Sequence, residues 1–498
     1  MIEVVELVRP WLSVLGDVFV LLLGLFFLAL VIVFIRDITQ TKDAVLRNYP
    51  VIGHFRYIFS SLGEFFRQYF FAMDREEMPF NRAQREWIHR ASHDKGINVA
   101  FGSTKSLTPV GTMIFENCPF PTLEEDACDI SAIVIGAGYC ANPYAARSLI
   151  NISAMSFGAI SRPAVQALSR GAKLAGCWYN TGEGGLSPYH LEGGADIVFQ
   201  IGTAKYGVRN PDGSFSAQKL KEIASHDEVK MFEIKLSQGA KPGKGGILPA
   251  EKVTEEIAGI RGIEAGKPSI SPNRHPDISN VSELLDFINE VRTLSGKPTG
   301  FKSVIGGVGW LQEMFIEIHR RGVESAPDFI TVDSGDGGTG AAPMTLMDHV
   351  GLPVRESLPM VVDLLVQHGL RDRIKVIASG KLVNPVGVAG ALCAGADFVN
   401  SARGFMFALG CIQSLKCHKN TCPTGVTTHN KRLQKGLDPT DKSVKVANYV
   451  KHINHAVGII SHSCGVAEPR QLNREHVRLV QQDGKSVPMS ELYSTGSI

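Results

Sequence analysis

Three cysteines in one short segment form the clearest chemical pattern in the sequence. Cys411, Cys417 and Cys422 are spaced C-x5-C-x4-C. Closely spaced thiolates are typical ligands of an iron–sulfur cluster, and three of them fit a three-iron cluster. Tetrahedral zinc is the alternative, with His418 or His429 as a fourth ligand, but the C-x2-C pairing usual for zinc is absent. The spacing therefore favours iron.

Turns rich in glycine and polar residues form the second pattern. The chain contains 51 glycines, about one residue in ten. One such turn is unremarkable by itself, but six follow predicted β-strands and favour a ligand-binding rim. Backbone amides of the last two turns, with Lys381 and Arg403, could cradle a phosphate. The six turns are 156–158, 180–185, 238–246, 334–340, 379–381 and 401–404.

Short apolar runs separated by helix-like stretches predict the fold that would hold these turns. Eight β/α units over roughly 250 residues are typical of a TIM barrel. A doubly wound sheet is the alternative, but no G-x-G-x-x-G motif follows a first strand with an acid about 20 residues later. We therefore expect an α/β protein, a TIM (β/α)8 barrel with an N-terminal transmembrane helix. The predicted strands are 151–156, 177–181, 196–201, 230–236, 300–305, 328–333, 375–379 and 397–402.

A membrane span is predicted near the N-terminus. Residues 18–35 contain no charged residue, and 18 residues are about the minimum for crossing a bilayer as a helix. A cleaved signal peptide is one alternative, but the preceding residues are more acidic than basic and no small-residue cleavage site follows. A buried core helix is the other. Because Arg36, Lys42 and Arg47 follow, we expect a single-pass protein with the remaining chain on the cytoplasmic side.

The chain is predicted to divide into four parts. Residues 1–40 form the anchor, and 41–95 form an amphipathic or interfacial helical region. Its segment 51–71 interleaves large aromatics with charges, which is typical of a helix lying on a membrane, although a hairpin packed on the next domain would also fit. The barrel with its cysteine loop spans 96–450, and 451–498 form a C-terminal extension.

Composition excludes several other classes of protein. Of the 498 residues, 44% are hydrophobic and 20% are charged, so disorder is not the main state. The formal net charge of +2 makes nucleic acid an unexpected partner. Nine cysteines are too few for a disulfide scaffold, and an odd number cannot all pair. The six cysteines outside the triplet are expected to be reduced thiols.

Five motifs together resemble a known family. They are AMSFGAIS (154–161), NTGEGG (180–185), QGAKPGKGG (238–246), SGDGGTGAAP (334–343) and the cysteine pattern at 411–422. In this order they resemble the FMN-binding synthase domain of glutamate synthases over about residues 95–450, and the whole chain resembles short, membrane-anchored glutamate-synthase-like proteins of bacteria. The resemblance implies a TIM barrel, FMN, a 3Fe-4S cluster and reductive amination of 2-oxoglutarate to glutamate through 2-iminoglutarate.

The resemblance also implies where the flavin lies. Lys302 would place a cation beside the flavin N1/C2 carbonyl, which stabilises the reduced flavin. Gln200 and Lys235 would face the ring. A turn of small residues would contact the flavin ring, and residues of the later rim turns would contact its phosphate. The turn is Ala154, Met155 and Ser156, and the phosphate residues are Gly337, Gly338, Gly380, Lys381, Ala402 and Arg403.

Three further residues are expected to act on the substrate. Lys241 and Arg261 resemble the family's positions for the substrate carboxylates. Glu183, in NTGEGG, resembles the acid near the ammonia entry, where a carboxylate could accept a proton from ammonium or pass protons to the intermediate.

Three residues depart from the family pattern. Ile247 replaces a glutamine usually beside the substrate, Lys244 replaces a glutamate, and Tyr179 replaces a serine. The same cofactors acting on a different 2-oxo acid or amine are therefore one alternative function. A membrane electron-transfer or redox module without glutamate synthesis is another. Barrels like isopentenyl diphosphate isomerase or IMP dehydrogenase fit the cysteine triplet less well.

The expected partners follow from what the sequence lacks. The chain begins with Met1 and not with the cysteine nucleophile of the family's glutaminase domain. Ammonia is therefore expected from solution or from a partner amidotransferase. No nicotinamide-binding fingerprint is found, so ferredoxin or a separate reductase is the expected electron donor.

Overall fold

The structure, a computed structural model, describes residues 2–493 of the chain. Met1 and residues 494–498, the last five of the predicted C-terminal extension, lie outside the described residues. The chain divides into two compact units, with the boundary between Ala83 and Gln84, inside the predicted helical region 41–95.

Eight parallel strands of the larger unit close into a barrel in chain order. The last strand pairs with the first, where Asn400 lies opposite Asn151. Each strand falls on one of the eight predicted runs, so the predicted TIM barrel is confirmed. Nearly all strand residues are buried, as expected when helices cover a parallel sheet. The strands are β1 Ile150–Ile152, β2 Tyr179–Asn180, β3 Ile197–Ile201, β4 Val229–Lys235, β5 Thr299–Val304, β6 Phe329–Asp333, β7 Lys375–Ser379 and β8 Phe398–Ser401.

Helices connect these strands. Arg162–Ala175 shows how the sequence sets their limits, because Ser161 Oγ accepts from the amide of Ala164 at the start and Gly176 ends the helix at φ 66°. The other α-helices of this unit, after Arg82–Ser92 at the boundary, are Pro188–Leu191, Ala217–Ala224, Glu255–Arg261, Val281–Ser295, Gly309–Arg321, Met344–His349, Val354–Gln367, Pro385–Cys393, Arg403–Ala408, Lys431–Gln434, Pro439–Ser463 and Met489–Leu492.

Three small antiparallel sheets lie outside the barrel. Met113–Phe115 pairs with Val477–Val480, which also pairs with Ser486–Pro488. The C-terminal extension is therefore joined to the segment that precedes the barrel. The other two sheets pair Ile133–Ile135 with Tyr144–Ala146 and Ile247–Leu248 with Ser269–Ile270.

A buried carboxylate holds the interior of the barrel together. Glu233, on β4, is only 1% exposed. Its Oε1 accepts hydrogen bonds from Asn180 Nδ2 at 2.8 Å and Gln200 Nε2 at 2.6 Å, and its Oε2 accepts from Thr331 Oγ1 at 2.6 Å. Because a buried charge is tolerated only when its oxygens are satisfied, this network fixes four strands relative to one another.

The N-terminal unit is helical. Its helices are Ile2–Thr39, Ala44–Asn48 and Gly53–Phe66, and a π-helical turn, Arg67–Phe71, continues the last. Among the described residues, one helix is long and apolar enough to cross a membrane: Pro10–Thr39, whose most apolar 18-residue stretch has a mean hydropathy of 3.4 and no buried residue. Large aromatics such as Phe55, Phe59 and Phe70 are exposed on Gly53–Phe66 and on the turn that continues it. Membrane crossing and interfacial binding stay predictions.

Packing of the helix Pro439–Ser463 on the helix Arg162–Ala175 can be tested at Gly171. A Cβ there would lie 2.5 Å from Val446 Cβ and 2.9 Å from Ser443 O, both on Pro439–Ser463. We expect Gly171→Ala to lower the free energy of unfolding by about 1–3 kcal/mol through overpacking. Gly259→Ala is the matched control, because no atom lies within 4 Å of the added Cβ and alanine favours helix by up to about 1 kcal/mol.

Chemical denaturation followed by tryptophan fluorescence measures both variants. Equal stability of Gly171→Ala and the wild-type protein would contradict the close approach of the two helices.

Candidate active site

One cavity opens at the carboxyl ends of the barrel strands, where TIM barrels place their active sites. It brings together most of the residues predicted for the flavin and substrate, and it reaches the cysteine loop at Cys417 and Thr427. The predicted residues that line it are Ala154, Met155, Ser156, Glu183, Gln200, Lys235, Lys241, Arg261, Lys302, Gly338, Gly380, Lys381, Ala402, Arg403 and Cys417.

Three of the predicted site residues, all within the described chain, do not line this cavity: Gly337, Cys411 and Cys422. The Gly337 amide donates to Ser334 O at 2.9 Å, and a Cβ at this position would lie 2.9 Å from the same oxygen. Its amide is therefore used within its own turn. Phosphate contact by Gly337 stays a prediction, and the bonded amide shows that Gly337 shapes the turn that presents Gly338.

Glu183 and Lys235 form an ion pair in the cavity wall. Lys235 Nζ lies 2.9 Å from Glu183 Oε2. Burial would raise the pKa of Glu183, but the nearby charges of Lys235, Lys241 and Arg261 lower it below its ordinary value. The lowered pKa keeps the carboxylate ionised, and its oxygen already contacts Lys235. Glu183 is therefore better suited to orienting Lys235 than to accepting a proton.

The backbone around Glu183 leaves no room for another side chain. A Cβ on Gly246 would lie 1.9 Å from Glu183 Oε1, and a Cβ on Gly202 would lie 2.5 Å from Glu183 Cβ. Gly246, in the rim turn 238–246, and Gly202, directly after β3, therefore leave this carboxylate little freedom to move.

Lys241 and Arg261 supply positive charge that no carboxylate neutralises directly. Within the described chain, neither side chain forms an ion pair. Lys241 is 5% exposed and Arg261 is 4% exposed. Burial, followed by the charge of Lys235, lowers the pKa of Lys241 to about 8 although Glu183 opposes the shift. Two buried cations at one cavity wall fit an anionic ligand, and Lys241 can also donate a proton near neutral pH.

Other contacts fix the Arg261 guanidinium. Its Nη1 donates to Ser269 Oγ at 3.1 Å and its Nη2 donates to Phe157 O at 3.4 Å. The guanidinium carbon lies 5.2 Å from the ring centre of Tyr206. Nε is buried without a hydrogen-bond partner in the described structure. The group is therefore held in place while its Nε–H donor remains unused.

Lys302 forms a second acid–lysine pair beside the first. The register of β4 and β5 places Lys302 opposite Lys235. Lys302 Nζ lies 3.0 Å from Asp333 Oδ2, which also accepts from the amide of Gly239 at 2.9 Å. Burial lowers the pKa of Lys302, but the charges of Asp333 and Glu233 outweigh burial and raise it above its ordinary value. Lys302 therefore stays protonated at the barrel mouth, with Asp333 as its counter-ion.

The predicted phosphate end of the cavity contains two cations with different surroundings. Lys381 Nζ pairs with Asp336 Oδ2 at 2.8 Å, which reduces the charge that Lys381 offers to a ligand. Arg403 Nη2 donates to Thr339 O at 2.6 Å, and among the described residues no carboxylate pairs with it. A Cβ on Gly338 would lie 2.8 Å from Arg403 Nε. Glycine thus lets the rim backbone approach an unneutralised guanidinium, an arrangement that fits a phosphate.

FMN fits the cavity as a whole. Its lining contains the Arg403 guanidinium, which has no carboxylate partner among the described residues, and the Lys302 ammonium, which pairs with Asp333. The small-residue turn Ala154–Ser156 belongs to the same lining. These are the groups that a phosphate, an isoalloxazine ring and its carbonyl edge require.

The three departures from the family pattern occupy different environments. Ile247 lines the cavity and is 38% exposed. Tyr179 is fully buried outside the cavity lining, and its hydroxyl donates to Met155 O at 3.2 Å. Lys244 is exposed in its loop. Only Ile247 can therefore change substrate contacts directly, while Tyr179 supports the backbone of the ring platform.

The cysteine loop lies against the cavity but is not a closed metal site. Within residues 2–493, no three His, Cys, Asp or Glu side chains are grouped so that they could hold a metal ion. Cys411, Cys417 and Cys422 are all free thiols, and Cys417 lines the cavity. Burial raises the pKa of Cys411, whereas for Cys422 burial is outweighed by hydrogen bonds from Thr424 and Thr427, which lower its pKa. Three soft thiol donors fit iron chemically.

Sequence reasoning missed two acids of the site, Glu233 and Asp333. Glu233 stands inside the apolar run 230–236, and Asp333 ends the run 328–333. Their position in strands predicted to be buried on both faces could have identified them, because a buried carboxylate must have a partner. The identity of that partner depends on strand register, which one sequence does not reveal.

Comparison with known proteins identifies a family match over most of the chain. Residues 122–467 match the family model described as a conserved region in glutamate synthase. The glutamate synthase large subunit-like protein YerD of Bacillus subtilis is 41% identical, over 92% of this chain and 94% of that protein. A glutamate synthase large subunit-like protein of Rhizobium meliloti is 28% identical, over 74% of this chain and 83% of that protein.

An archaeal-type glutamate synthase (NADPH) of Thermotoga neapolitana is 34% identical over 66% of this chain. The match spans 62% of the Thermotoga protein, less than two thirds of its length.

Proposed function

The chain belongs to the glutamate synthase family, and on this premise we propose that it is an FMN and iron–sulfur oxidoreductase that aminates 2-oxoglutarate reductively to glutamate through 2-iminoglutarate. One observation carries the proposal: Lys241 and Arg261, two buried cations without carboxylate partners, lie in the same cavity as Glu183, Lys235 and Lys302. A dicarboxylate substrate requires two such cations next to the flavin.

The rim residues would hold FMN. Arg403 and Lys381, with the backbone of Gly338, Gly380 and Ala402, would bind its phosphate, and Lys302 would face the carbonyl edge of the ring. Ala154–Ser156, Gln200 and Lys235 would contact the ring system. When bound, FMN supplies the hydride that reduces the imine carbon.

The residues of this chain provide the remaining chemistry. Lys241 Nζ and the Arg261 guanidinium bind the two carboxylates and exclude water by filling the buried wall. Lys241, with a pKa of about 8, can transfer a proton from Nζ near neutral pH. Glu183 stays ionised and holds Lys235 Nζ in place, so that the ammonium groups of two neighbouring lysines on β4 and β5 are fixed as hydrogen-bond donors.

The low pKa of Lys241 predicts how substrate binding depends on pH. Only the protonated amine attracts a carboxylate, and the pKa is lowered to about 8. The affinity for 2-oxoglutarate should therefore be constant below pH 8 and fall about tenfold per pH unit above it. Lys241→Arg stays charged and should remove this dependence.

Calorimetric titration with 2-oxoglutarate in the absence of ammonia measures this effect without the ammonium equilibrium. A wild-type dissociation constant that stays flat up to pH 10 would contradict the role of Lys241.

Electrons and nitrogen are proposed to come from partners. Cys411, Cys417 and Cys422 would hold a 3Fe-4S cluster that receives electrons from ferredoxin or a separate reductase. Ammonia would come from solution or from a partner amidotransferase. We further propose that Pro10–Thr39 crosses the membrane once and leaves the barrel on the cytoplasmic side, supported by its hydropathy and by Arg36, Lys42 and Arg47 after the apolar core.

One specific observation supports a second candidate function. Ile247 lines the cavity together with Leu248, so an aliphatic wall adjoins the substrate cations. Such a wall favours a 2-oxo acid with an apolar side chain over 2-oxoglutarate. The cofactors and the hydride chemistry would be the same.

Cofactor analysis of the purified full-length protein tests the proposal. We expect a flavin absorption spectrum, iron and sulfide in the ratio of a three-iron cluster, and an EPR signal of the oxidised cluster. Flavin without iron or sulfide would contradict the cluster. Reoxidation of the reduced protein by a branched 2-oxo acid, but not by 2-oxoglutarate, would favour the second function.

A further inference from the structure

Lys252 is a buried lysine whose ammonium contacts only backbone carbonyls. It ends the short helical turn Ala250–Lys252, and 2% of its surface is exposed. Its Nζ donates to Thr427 O at 2.6 Å, Cys417 O at 2.8 Å and Ala159 O at 3.3 Å. These bonds use all three donors of the ammonium group. Within the described chain, no carboxylate forms an ion pair with it.

These contacts join three segments that line the candidate active site. Ala159 follows the ring-platform turn after β1, and Cys417 and Thr427 belong to the cysteine loop. Lys252 itself lies between the strand Ile247–Leu248 and the helix that ends at Arg261. The ammonium therefore fixes the cysteine loop against both the flavin side and the substrate side of the cavity.

Hydrogen bonds alone do not explain a charged group in this position. Removing an ammonium from water is strongly unfavourable unless negative charge compensates it. The ammonium instead lies against the main chain of Cys417, one of the three predicted cluster ligands, and of Thr427, five residues after Cys422. A cluster bound by thiolates of this loop would therefore supply the negative charge that no carboxylate of the described chain provides.

We propose that Lys252 is a positioning residue that provides the fixed counter-charge of the iron–sulfur site and raises the reduction potential of the cluster. This inference rests on the proposed function, because it requires Cys411, Cys417 and Cys422 to hold a cluster as thiolates. Transfer of one electron to the cluster adds one negative charge. A positive charge held close by in a poorly solvated site stabilises the reduced form more than the oxidised form.

Redox titration of the purified holoprotein, followed by EPR, tests this role. In Lys252→Met the charge is absent while the volume is similar, and we expect iron and sulfide to be retained but the midpoint potential to shift to a more negative value. Lys252→Arg keeps the charge and should have a potential close to that of the wild-type protein. Lys419→Met removes an exposed lysine from the same loop, and its shift should be much smaller because water screens that charge.

Each outcome supports or overturns the role of Lys252. If Lys252→Met contains a full cluster and its midpoint potential equals that of the wild-type protein, the proposal is overturned. If Lys252→Met binds no iron, Lys252→Gln replaces it, because its amide can still donate to the carbonyls without charge. An unchanged potential in Lys252→Gln overturns the proposal, whereas a lower potential supports it. Loss of iron from both uncharged variants, with retention in Lys252→Arg, also supports it.

Failure of the proposed function gives a different result. A wild-type protein that contains flavin but neither iron nor sulfide would contradict the cluster, and the inference on Lys252 with it. If the wild-type protein contains the cluster but the Lys252 substitutions do not change its midpoint potential, only the inference on Lys252 is contradicted.

Discussion

Replacing Lys302 with methionine is expected to destabilise the barrel and weaken FMN binding at the same time. The substitution leaves the buried Asp333 carboxylate without the cation that lies 3.0 Å away. Removing one partner of a buried ion pair costs about 3–5 kcal/mol in unfolding free energy. Loss of a charged contact to the flavin should weaken FMN binding about 10- to 100-fold. Chemical denaturation of the apoprotein and fluorescence titration with FMN measure the two effects separately.

The double variant Lys302→Met with Asp333→Asn distinguishes the two roles. Asparagine removes the unpaired charge, and its side-chain oxygen can still accept from the amide of Gly239. We expect most of the stability to return while FMN binding stays weak. If the double variant is as unstable as the single one, the loss does not come from an uncompensated carboxylate. If FMN affinity returns as well, Lys302 has no direct role in flavin binding.

Replacing Arg261 with methionine is expected to cause the largest loss of substrate affinity. Its guanidinium is 4% exposed in the cavity wall, and no carboxylate of the described chain pairs with it. Removing one partner of a buried, hydrogen-bonded charge pair costs about 2–5 kcal/mol, so the KM for the oxo acid should rise about 30-fold or more. Arg261→Lys keeps the charge but loses the planar set of donors, and we expect an intermediate KM.

Arg209 offers a matched control for this prediction. Its guanidinium carbon lies 5.9 Å from the centre of the same Tyr206 ring, but Arg209 does not line the cavity. Arg209→Met should therefore leave KM close to the wild-type value. Steady-state kinetics with varied 2-oxo acid measure all three variants. Equal effects at both arginines would show that the loss comes from packing on Tyr206 and not from substrate binding.

The fold could be predicted because its signals are local. Each barrel strand is a short apolar run, and the turns after them are rich in glycine and polar residues. Parallel strands place their carboxyl ends at one edge, so residues as distant as Glu183 and Arg403 could be assigned to one cavity.

The partners within the site could not be predicted, because they depend on register and on contacts between distant turns. Lys302 was recognised, but its partner Asp333 lies on the next strand. Gly337 was assigned to phosphate, although its amide bonds within its own turn. Tyr179 was recognised as a departure from the family pattern, but its hydroxyl bond to Met155 O, made from outside the cavity lining, was not foreseen. Sequence patterns identify the rim but not which of its groups already have partners.

Reoxidation of the reduced protein tests the proposed function most directly. The purified full-length protein is reduced without oxygen, mixed with 2-oxoglutarate and ammonium, and followed through its visible flavin absorption and by glutamate analysis. We predict that the flavin reoxidises only when both compounds are present, with one glutamate formed per flavin, and that Arg261→Met is slow at the same concentrations. A flavin that stays reduced with both compounds, yet reoxidises with an artificial electron acceptor, would contradict glutamate synthesis by this protein.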